Sequence, residues 1–372
     1  MHDIYIENCL FKTRKNIKKL GNKFPHVSKN GIYKKIDNVE WTSGFWVGII
    51  WLSFLLSKDN LFKDYAFDIL PSFEKRLRNK INIDTHDLGF LYMYSCVPAF
   101  KIFKNMKAYE ITILAVKKLV QRFIPKLEYI QAFGGVGENN ESTYFIVDSL
   151  MNLPLLYWAS IVNDNLYYKE IAERHALSVI KHLLRADGSI YQACYYNQKT
   201  GLTAKVGTIQ GFNDESCWSR GQSWAIYGFT LSYKYTKNNI FLDAAKKTAD
   251  YFIKELPDDK ICYWDLIYKN NNSQPRDSSA SAIAVCGLLE LSDLLNSTDS
   301  KKNYYSKIAY EILDSLCLHC TTPKEDNKDG LLLHCVYHLP EKLGIDESCI
   351  FGDYFYFEAL IRKIGLKSLL WY

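Results

Sequence analysis

Six short segments of the sequence combine charged or polar residues with aromatic ones at the edge of apolar stretches. They are WTSGFWVG from Trp41, HDLGF from His86, VDSLMNLPLL from Val147, CWSRGQSW from Cys217, RDSSAS from Arg276 and GDYFYFEAL from Gly352. Carboxyl groups exchange protons, guanidinium groups bind carboxylates, and indole rings stack on the apolar face of a sugar. If the fold gathers these segments, the predicted chemistry is acid–base catalysis in a cup that suits a sugar ring.

Asp148 is the residue in these segments that is most difficult to explain structurally. The apolar residues Leu150, Met151 and Leu153 follow it, in a stretch that predicts a buried helix. A charge is costly in such surroundings unless it has a use. Burial near a second carboxylate raises a carboxyl pKa toward the range of a general acid, so Asp148 is the candidate proton donor.

The other polar and aromatic residues of the six segments have a structural explanation besides a functional one. The aspartates would also serve as helix N-caps, the arginines as their ion-pair partners, and the tryptophans as core residues. The sequence leaves both explanations open for Asp87, Asp277, Asp353, Arg220, Arg276, Trp41, Trp218 and Trp224.

Several cysteines and histidines lie close enough together in the sequence to suggest metal ligands. Cys317 and Cys320 form a C-x-x-C pair, and His319, His334 and Cys335 lie close in sequence. No second C-x-x-C follows, so we predict that the protein needs no metal. The sequence also has no glycine-rich phosphate loop, and no cofactor is predicted.

Two kinds of segment with helical periodicity alternate along the chain and would position these residues. Amphipathic, charged segments lie at 3–20, 61–78, 106–123, 166–184, 241–256 and 302–320. Segments that are apolar nearly all round lie at 43–57, 87–103, 143–161, 219–236, 277–294 and 352–363. The first pattern predicts half-buried helices and the second predicts helices covered on all sides.

This alternation predicts an all-α fold with about 62 residues for each pair of helices. Short connections make consecutive helices antiparallel, so the six buried helices would point the same way and share one rim. An inner ring of six helices inside an outer ring of six satisfies the pattern within one domain, 1–372. An open α-solenoid is the competing architecture. A strand-like insertion with a turn at 197–201 is predicted at 188–212.

Composition excludes several other classes of protein. The chain has 372 residues, a net charge of +5 and no concentrated basic arm, which argues against nucleic-acid binding. The longest apolar stretch, Gly44 to Leu56, is shorter than the roughly 20 residues of a membrane-spanning helix. With no signal-peptide pattern and ten cysteines, which we expect to be reduced, a cytoplasmic location is predicted.

Taken together, the six segments resemble the unsaturated glucuronyl hydrolases of glycoside hydrolase family 88. The matching motifs run in order from about residue 41 to 363, and they include TIQGFNDESCWSRGQSW and RDSSASAIAVCGLLEL. The resemblance implies an (α/α)6 barrel of six helical hairpins. It also implies release of a 4,5-unsaturated glucuronic acid from the non-reducing end of oligosaccharides made by polysaccharide lyases, glycosaminoglycan disaccharides in particular.

The resemblance further implies roles for individual residues. Asp148 matches the general acid and base that hydrates the C4=C5 double bond, and Asp87 matches the second acidic residue. The residues that match substrate contacts are Trp41 and Trp224 as stacking walls, Arg220 and Gln210 as polar contacts, and Trp218 and Tyr337 as further contacts. Where the family commonly has two histidines, this sequence has Gln192, which is still expected to contact the substrate through hydrogen bonds, and Ile209; both changes alter the expected hydroxyl contacts and pH profile.

Two other functions remain open at this point. An unsaturated rhamnogalacturonyl hydrolase would use the same chemistry on a different oligosaccharide. A non-catalytic helical protein with a sugar-sized cup would bind without turnover, although such a protein has no need of a buried acid. The sequence does not predict the oligomeric state.

Overall fold

Helices form most of the protein. The computed structural model describes residues 3–136, 142–197, 199–270, 273–367 and 372. In chain order the α-helices are α1 (Asp3–Leu20), α2 (Ser43–Ser57), α3 (Asn60–Ile69), α4 (Pro71–Arg78), α5 (Leu88–Met93), α6 (Cys96–Phe103), α7 (Met106–Val120), α8 (Pro154–Asn163), α9 (Leu166–Leu183), α10 (Ser219–Thr236), α11 (Asn239–Glu255), α12 (Ser278–Leu294), α13 (Lys301–His319) and α14 (Ile350–Lys363). A 3₁₀ helix, Val147–Asn152, leads into α8.

Short antiparallel strands connect the helices at one end. They are β1 (Ser28–Lys29), β2 (Ile32–Tyr33), β3 (Phe123–Ile124), β4 (Tyr129–Ile130), β5 (Ser142–Ile146), β6 (Ala193–Asn197), β7 (Thr203–Gly207), β8 (Cys335–His338) and β9 (Leu343–Glu347). Strands β5, β6 and β7 form one sheet, in which Ile146 pairs with Ala193 and Ala193 pairs with Gly207. The predicted strand-like insertion at 188–212 is therefore confirmed.

The alternation of buried and half-buried helices is also confirmed. Helix α12 is buried at every position from Ser278 to Ser292, and α10 is buried from Ser219 to Ser232. Helix α9, in contrast, buries one side and leaves residues such as Glu170 and Leu177 exposed. Helices that are covered all round have no solvent-exposed polar face, which is why most of their residues are apolar or small.

Contacts between the buried helices return to their starting point. Helix α2 contacts α5, α5 contacts α8 and the 3₁₀ helix, and the 3₁₀ helix contacts α10. Helix α10 then contacts α12, α12 contacts α14, and α14 contacts α2. The half-buried helices α3, α7, α9, α11 and α13 each pack on a buried neighbour. The contacts of the buried helices therefore form a closed ring.

The prediction of a helix over 143–161 is wrong in its first half. Residues Ser142–Ile146 are strand β5, followed by the 3₁₀ helix and then α8, which begins at Pro154. The backbone N–H of Val147 still donates to the carbonyl of Gln192, so the sheet continues up to the residue before Asp148. Thr143, Phe145 and Ile146 are types that favour a strand once a partner strand is available.

Two other predicted helices are interrupted. The segment 61–78 divides into α3 and α4 at Pro71, which lacks the N–H that a continuous helix requires. The segment 87–103 divides into α5 and α6 around Tyr94 and Ser95. Within the described ranges, every helix is too short or too polar to span a bilayer.

Candidate active site

A cavity of about 310 Å³ lies at the end of the molecule where the strands connect the helices. Its wall comes from segments that are far apart in the sequence. The lining residues are Trp41, His86, Asp87, Phe133, Ile146, Asp148, Gln192, Ile209, Gln210, Arg220, Tyr337 and His338. The structure therefore brings together Asp148, Asp87, Trp41, Gln192, Gln210, Arg220 and Tyr337, all of which the sequence analysis singled out.

Asp148 lies in the first turn of the 3₁₀ helix and is partly exposed, to the cavity. Its Oδ2 atom is buried and has no hydrogen-bond partner. Burial raises the pKa of Asp148 to about 7; the Arg220 guanidinium acts in the opposite direction, and the Asp87 carboxylate reinforces the increase. Asp148 therefore exchanges its proton near neutral pH.

Asp87 lies just before α5 and is only 4% exposed. The Thr85 hydroxyl donates to its Oδ2 atom at 2.9 Å, and the His86 Nε2 atom lies 3.3 Å from its Oδ1 atom. Burial raises the pKa of Asp87 to about 6, although Thr85 and nearby arginines favour the charged form. Burial, with the Arg122 charge, lowers the pKa of His86 to about 3, so that imidazole is neutral.

Arg220 is the buried cation of the cavity. Its Nη1 atom donates to Asp277 Oδ2 at 3.0 Å and to the carbonyl of Val336, and its Nη2 atom donates to the carbonyl of Tyr337 at 2.6 Å. The guanidinium lies 4.5 Å from the Trp218 ring centroid. These contacts with two other segments and with the neighbouring Trp218 fix its orientation.

Gln192 organises the turn that follows β7. Its Oε1 atom accepts hydrogen bonds from the Thr208 hydroxyl at 2.9 Å and from the backbone N–H groups of Ile209 and Gln210 at 2.7 and 2.8 Å. Its Nε2 atom donates to Gln210 Oε1 at 3.2 Å, and Gln210 Nε2 donates to the Tyr337 carbonyl at 3.2 Å. A chain of amides thus connects this turn to the carbonyl that also accepts from Arg220.

Trp41 and Tyr337 form the aromatic side of the cavity. The Trp41 indole N–H donates to the Tyr337 hydroxyl at 2.9 Å. The Trp41 ring also stacks on Phe351, with centroids 5.3 Å apart. Trp41 is partly exposed and lines the cavity, so its free ring surface is available to an apolar sugar face.

Trp224, predicted as a second stacking wall, does not line the cavity. It is fully buried, between Phe90 and Phe355. Its indole N–H lies near Asp148 and lowers the pKa of that carboxyl, although it makes no hydrogen bond of standard geometry. The stacking role of Trp224 stays a prediction, and what the structure shows is a buried ring beside Asp148 on a helix that is covered all round.

Trp218, predicted as a substrate contact, is also absent from the wall of the cavity. It is 4% exposed and packs on the Arg220 guanidinium. Its position makes it a support for Arg220 rather than part of the cavity surface.

Three charged residues expected at the common rim lie elsewhere. Arg276 pairs with Asp259 at 2.7 Å, outside the cavity. Asp277 caps α12 by accepting from the N–H groups of Ser279 and Ala280, besides its pairing with Arg220. Asp353 accepts from the Tyr33 hydroxyl at 2.8 Å and from a backbone N–H, and is 2% exposed. The N-cap explanation is therefore right for Asp277, whereas Asp353 lies inside α14 and bonds to other segments, and the partner of Arg276 is Asp259 rather than one of the rim aspartates.

Several cavity residues were not identified from the sequence. His338 follows Tyr337 in β8, and its Nδ1 atom accepts from the backbone N–H of Glu341 at 3.3 Å. Phe133 and Ile146 complete the apolar part of the wall. Strand alternation would put His338 on the face opposite Tyr337, so the pattern argues against it, and Phe133 and Ile146 carry no signal that separates them from core residues.

The ten cysteines are all buried and unpaired. Cys317, from the C-x-x-C pair, lies 3.4 Å from the Tyr356 hydroxyl. In the part of the chain that the structure describes, no three or more His, Cys, Asp or Glu side chains are grouped to hold a metal ion.

Comparisons with known sequences identify close relatives. The profile of Glycosyl Hydrolase Family 88 matches residues 16–338. The chain is 39% identical to the unsaturated chondroitin disaccharide hydrolase of Streptococcus agalactiae serotype III (strain NEM316) over 367 residues, 98% of this chain and 92% of the relative. It is 36% identical to the unsaturated glucuronyl hydrolase of Bacillus sp. (strain GL1) over 368 residues, 99% of this chain and 98% of the relative.

Solved structures show the same similarity in three dimensions. The crystal structure of the Bacillus sp. GL1 unsaturated glucuronyl hydrolase superimposes with a TM-score of 0.96 at 36% identity, over 100% of this chain and 99% of that one. A variant of the Streptococcus agalactiae unsaturated glucuronyl hydrolase in complex with dGlcA-GalNAc6S gives a TM-score of 0.89 at 36% identity, over 100% of this chain and 93% of that one.

Proposed function

The chain belongs to Glycosyl Hydrolase Family 88, and from this premise we propose how its cavity carries out the family's reaction. The enzyme is an unsaturated glucuronyl hydrolase. It releases 4,5-unsaturated glucuronic acid from glycosaminoglycan-type oligosaccharides, which are products of polysaccharide lyases. The relatives are named for chondroitin disaccharide and glucuronyl substrates, and they cover nearly the whole chain.

One observation carries the assignment of the catalytic group: Asp148 faces the cavity with its pKa raised to about 7. A group that donates a proton in one step and accepts one in the next needs a pKa close to the working pH. An ordinary surface aspartate, with a pKa near 3.9, would be fully ionised and could not act as an acid at neutral pH.

In the proposed reaction, protonated Asp148 transfers its proton to C4 of the unsaturated ring. The electron pair of the C4=C5 bond forms the new C–H bond, and positive charge develops on C5 and the ring oxygen. Water adds at C5 and gives a proton to the Asp148 carboxylate, which restores the acid. The resulting hemiketal opens and releases the adjoining sugar, so that one water is consumed overall.

Asp87 is assigned a supporting role. Its carboxylate raises the pKa of Asp148, so a charged Asp87 keeps the acid protonated. As an acceptor that faces the cavity, it would also bind ring hydroxyl groups.

We assign the remaining cavity residues to binding the sugar. Trp41 offers the stacking surface, Arg220 is the cation near the uronate carboxylate, and Gln210 and Tyr337 supply polar contacts. Gln192 acts by holding the turn that carries Gln210. Trp218 and Trp224 act through Arg220 and Asp148, respectively.

The helix contacts support a more specific fold assignment. We infer that the helices form one (α/α)6 barrel domain, since the contacts of the buried helices run from α2 through α14 and back to α2. We retain the prediction of a cytoplasmic location, because ten buried, unpaired thiols fit a reducing compartment.

The test is a panel of unsaturated disaccharides from chondroitin, hyaluronan, heparin and rhamnogalacturonan. Hydration removes the conjugated double bond, so ultraviolet absorbance falls as the substrate is consumed. We expect turnover of glycosaminoglycan disaccharides and little turnover of the rhamnogalacturonan product. Preference for rhamnogalacturonan would assign the enzyme to the sister activity, and binding without any loss of absorbance would show a non-catalytic sugar-binding protein.

A further inference from the structure

Asp87 occupies the N-cap position of α5 but does not act as its cap. In an ordinary N-cap, an aspartate accepts a hydrogen bond from the backbone N–H two or three residues later. The Asp87 side chain makes no such bond, although its backbone carbonyl already accepts from the N–H of Leu91. Its carboxyl group lines the cavity instead.

Asn152 supplies the missing cap from another part of the chain. Its Oδ1 atom accepts from the backbone N–H of Phe90 at 2.7 Å, and Phe90 is the third residue of α5. Asn152 ends the 3₁₀ helix that begins beside Asp148, and it is 1% exposed. The donor that Asp87 would be expected to satisfy is thus already occupied.

The packing around Asn152 is built for this contact. A Cβ atom at Gly89 would lie 2.3 Å from the Asn152 Cα atom, so any other residue at 89 would push the two segments apart. The Asn152 Nδ2 atom donates to the Asp148 carbonyl oxygen at 3.3 Å. The same amide lies near the Asp87 carboxylate and favours its charged form. One buried side chain therefore joins the backbones that carry both aspartates.

We propose that Asn152 is a positioning residue that caps α5 in place of Asp87, which leaves the Asp87 carboxyl group facing the substrate cavity. The proposal rests on the proposed function, because it assigns that carboxyl group to the reaction. Without Asn152, the free N–H of Phe90 would attract the Asp87 carboxylate toward the helix.

The test compares Asn152→Ala with Asn152→Asp. Asn152→Ala removes the acceptor, so Asp87 should turn to cap α5 and move its charge away from Asp148. We expect kcat/KM to fall about a hundredfold, the cost of misplacing a catalytic group by about 1 Å. The alkaline limb of the pH profile should move to lower pH. Asn152→Asp keeps an acceptor and adds a negative charge, so its alkaline limb should move to higher pH.

The other ionisable groups around Asp87 stay unchanged in both variants. They are Arg76, Arg122, His86, Tyr144 and Asp148. Asn105→Ala is the matched control, because Asn105 caps α7 through the N–H of Ala108 and does not line the cavity. It removes an asparagine cap of the same kind and should leave kcat/KM and the pH profile unchanged.

Three results would overturn the proposal. The first is a kcat/KM of Asn152→Ala that is no lower than that of Asn105→Ala, and the second is an alkaline limb that stays at the wild-type pH in both Asn152 variants. The third is a crystal structure of Asn152→Ala in which Asp87 still faces the cavity. If Asn152→Ala does not fold, the alkaline limb in the pH profile of Asn152→Asp is the remaining measurement, and a limb that does not move to higher pH would overturn the proposal. Wild-type enzyme that turns over no substrate in the panel would contradict the proposed function instead, and the crystal structure would still test the capping.

Discussion

Arg220 donates a hydrogen bond of 2.6 Å from Nη2 to the carbonyl oxygen of Tyr337. The bond fastens the first turn of α10 to β8, although the two residues are separated by 117 positions in the sequence. The same guanidinium pairs with Asp277 at the start of α12. Arg220 thus joins α10, β8 and the start of α12 on the basic side of the cavity. Both the stability of the protein and the chemistry of the cavity therefore depend on this residue.

Arg220→Leu should destabilise the protein as well as inactivate it. The substitution leaves the Asp277 carboxylate buried without its cation, which costs about 3–5 kcal/mol of unfolding free energy. Urea unfolding measures this loss. Adding Asp277→Asn should recover much of it, because asparagine keeps an acceptor for the α12 cap and has no charge. A single variant as stable as the wild type would contradict the prediction.

Asp148→Asn should lower kcat by about a thousandfold or more, because the amide can neither donate an acidic proton nor accept one from water. The absorbance of the unsaturated disaccharide measures activity, and circular dichroism checks the fold. Asp353→Asn is the matched control, because burial also raises the pKa of Asp353 to about 7 but Asp353 lies outside the cavity. If Asp148→Asn retained more than about a tenth of the activity, Asp148 could not be the proton donor.

The pH profile should have two limbs. Burial raises the pKa of Asp148 to about 7, so the acid loses its proton, and kcat/KM falls, as the pH rises through that value. Asp87, with its pKa raised to about 6, should cause a fall on the acidic side as it becomes neutral. Asp87→Asn removes a negative charge beside Asp148 and should move the alkaline limb to lower pH. A profile that stays level through both values would contradict these assignments.

The helices could be predicted from the sequence because a buried helix has apolar or small residues at most positions, on every side. Strand β5 could not, because it exists only through pairing with β6, about 50 residues later in the chain. Asp148 was therefore identified from its chemistry but placed on the wrong element. A helix that is buried all round does not show in its sequence which side faces the cavity, so the sequence alone does not reveal that the Trp224 ring is fully buried.

Asn152 shows a second limit of sequence reasoning. A single asparagine in an apolar segment has several ordinary explanations. Its partner is the backbone N–H of Phe90, which every residue type except proline would provide, so the sequence does not indicate this contact. Asp87 stands at a helix start, where an aspartate is typical of an N-cap, and the sequence does not show that another side chain caps this helix. Only the position of the two segments in space shows which side chain caps α5.

Gln192→His should loosen the turn after β7. Gln192 Oε1 accepts from the Thr208 hydroxyl and from two backbone N–H groups, whereas a neutral imidazole has one accepting nitrogen. We expect faster amide hydrogen exchange at Ile209 and Gln210 and about tenfold lower kcat/KM, since Gln210 lines the cavity. Gln192→Glu keeps the accepting oxygens and should keep these amides protected. Equal exchange in the two variants would show that Gln192 does not hold the turn.

Asp353→Asn should stabilise the protein, and more so at higher pH. Burial raises the pKa of Asp353 to about 7, above the value near 3.9 of an unfolded aspartate. The folded state therefore keeps a proton that the unfolded state releases, and this contribution to stability, complete below about pH 4, is lost as the pH rises through about 7.

Asparagine at 353 needs no proton, so its stability does not decline over that range. Its Oδ1 atom can accept from the N–H of Leu332, and its Nδ2 atom can donate to the Tyr33 hydroxyl oxygen. The gain should be small at about pH 5 and larger at about pH 8, with about 4 kcal/mol as the upper limit set by the pKa difference. Thermal unfolding at both pH values measures it. Asp64→Asn, at an exposed position on α3, should show no such difference. An Asp353→Asn gain that is equal at both pH values would mean that the carboxyl group is ionised in the folded protein throughout this range.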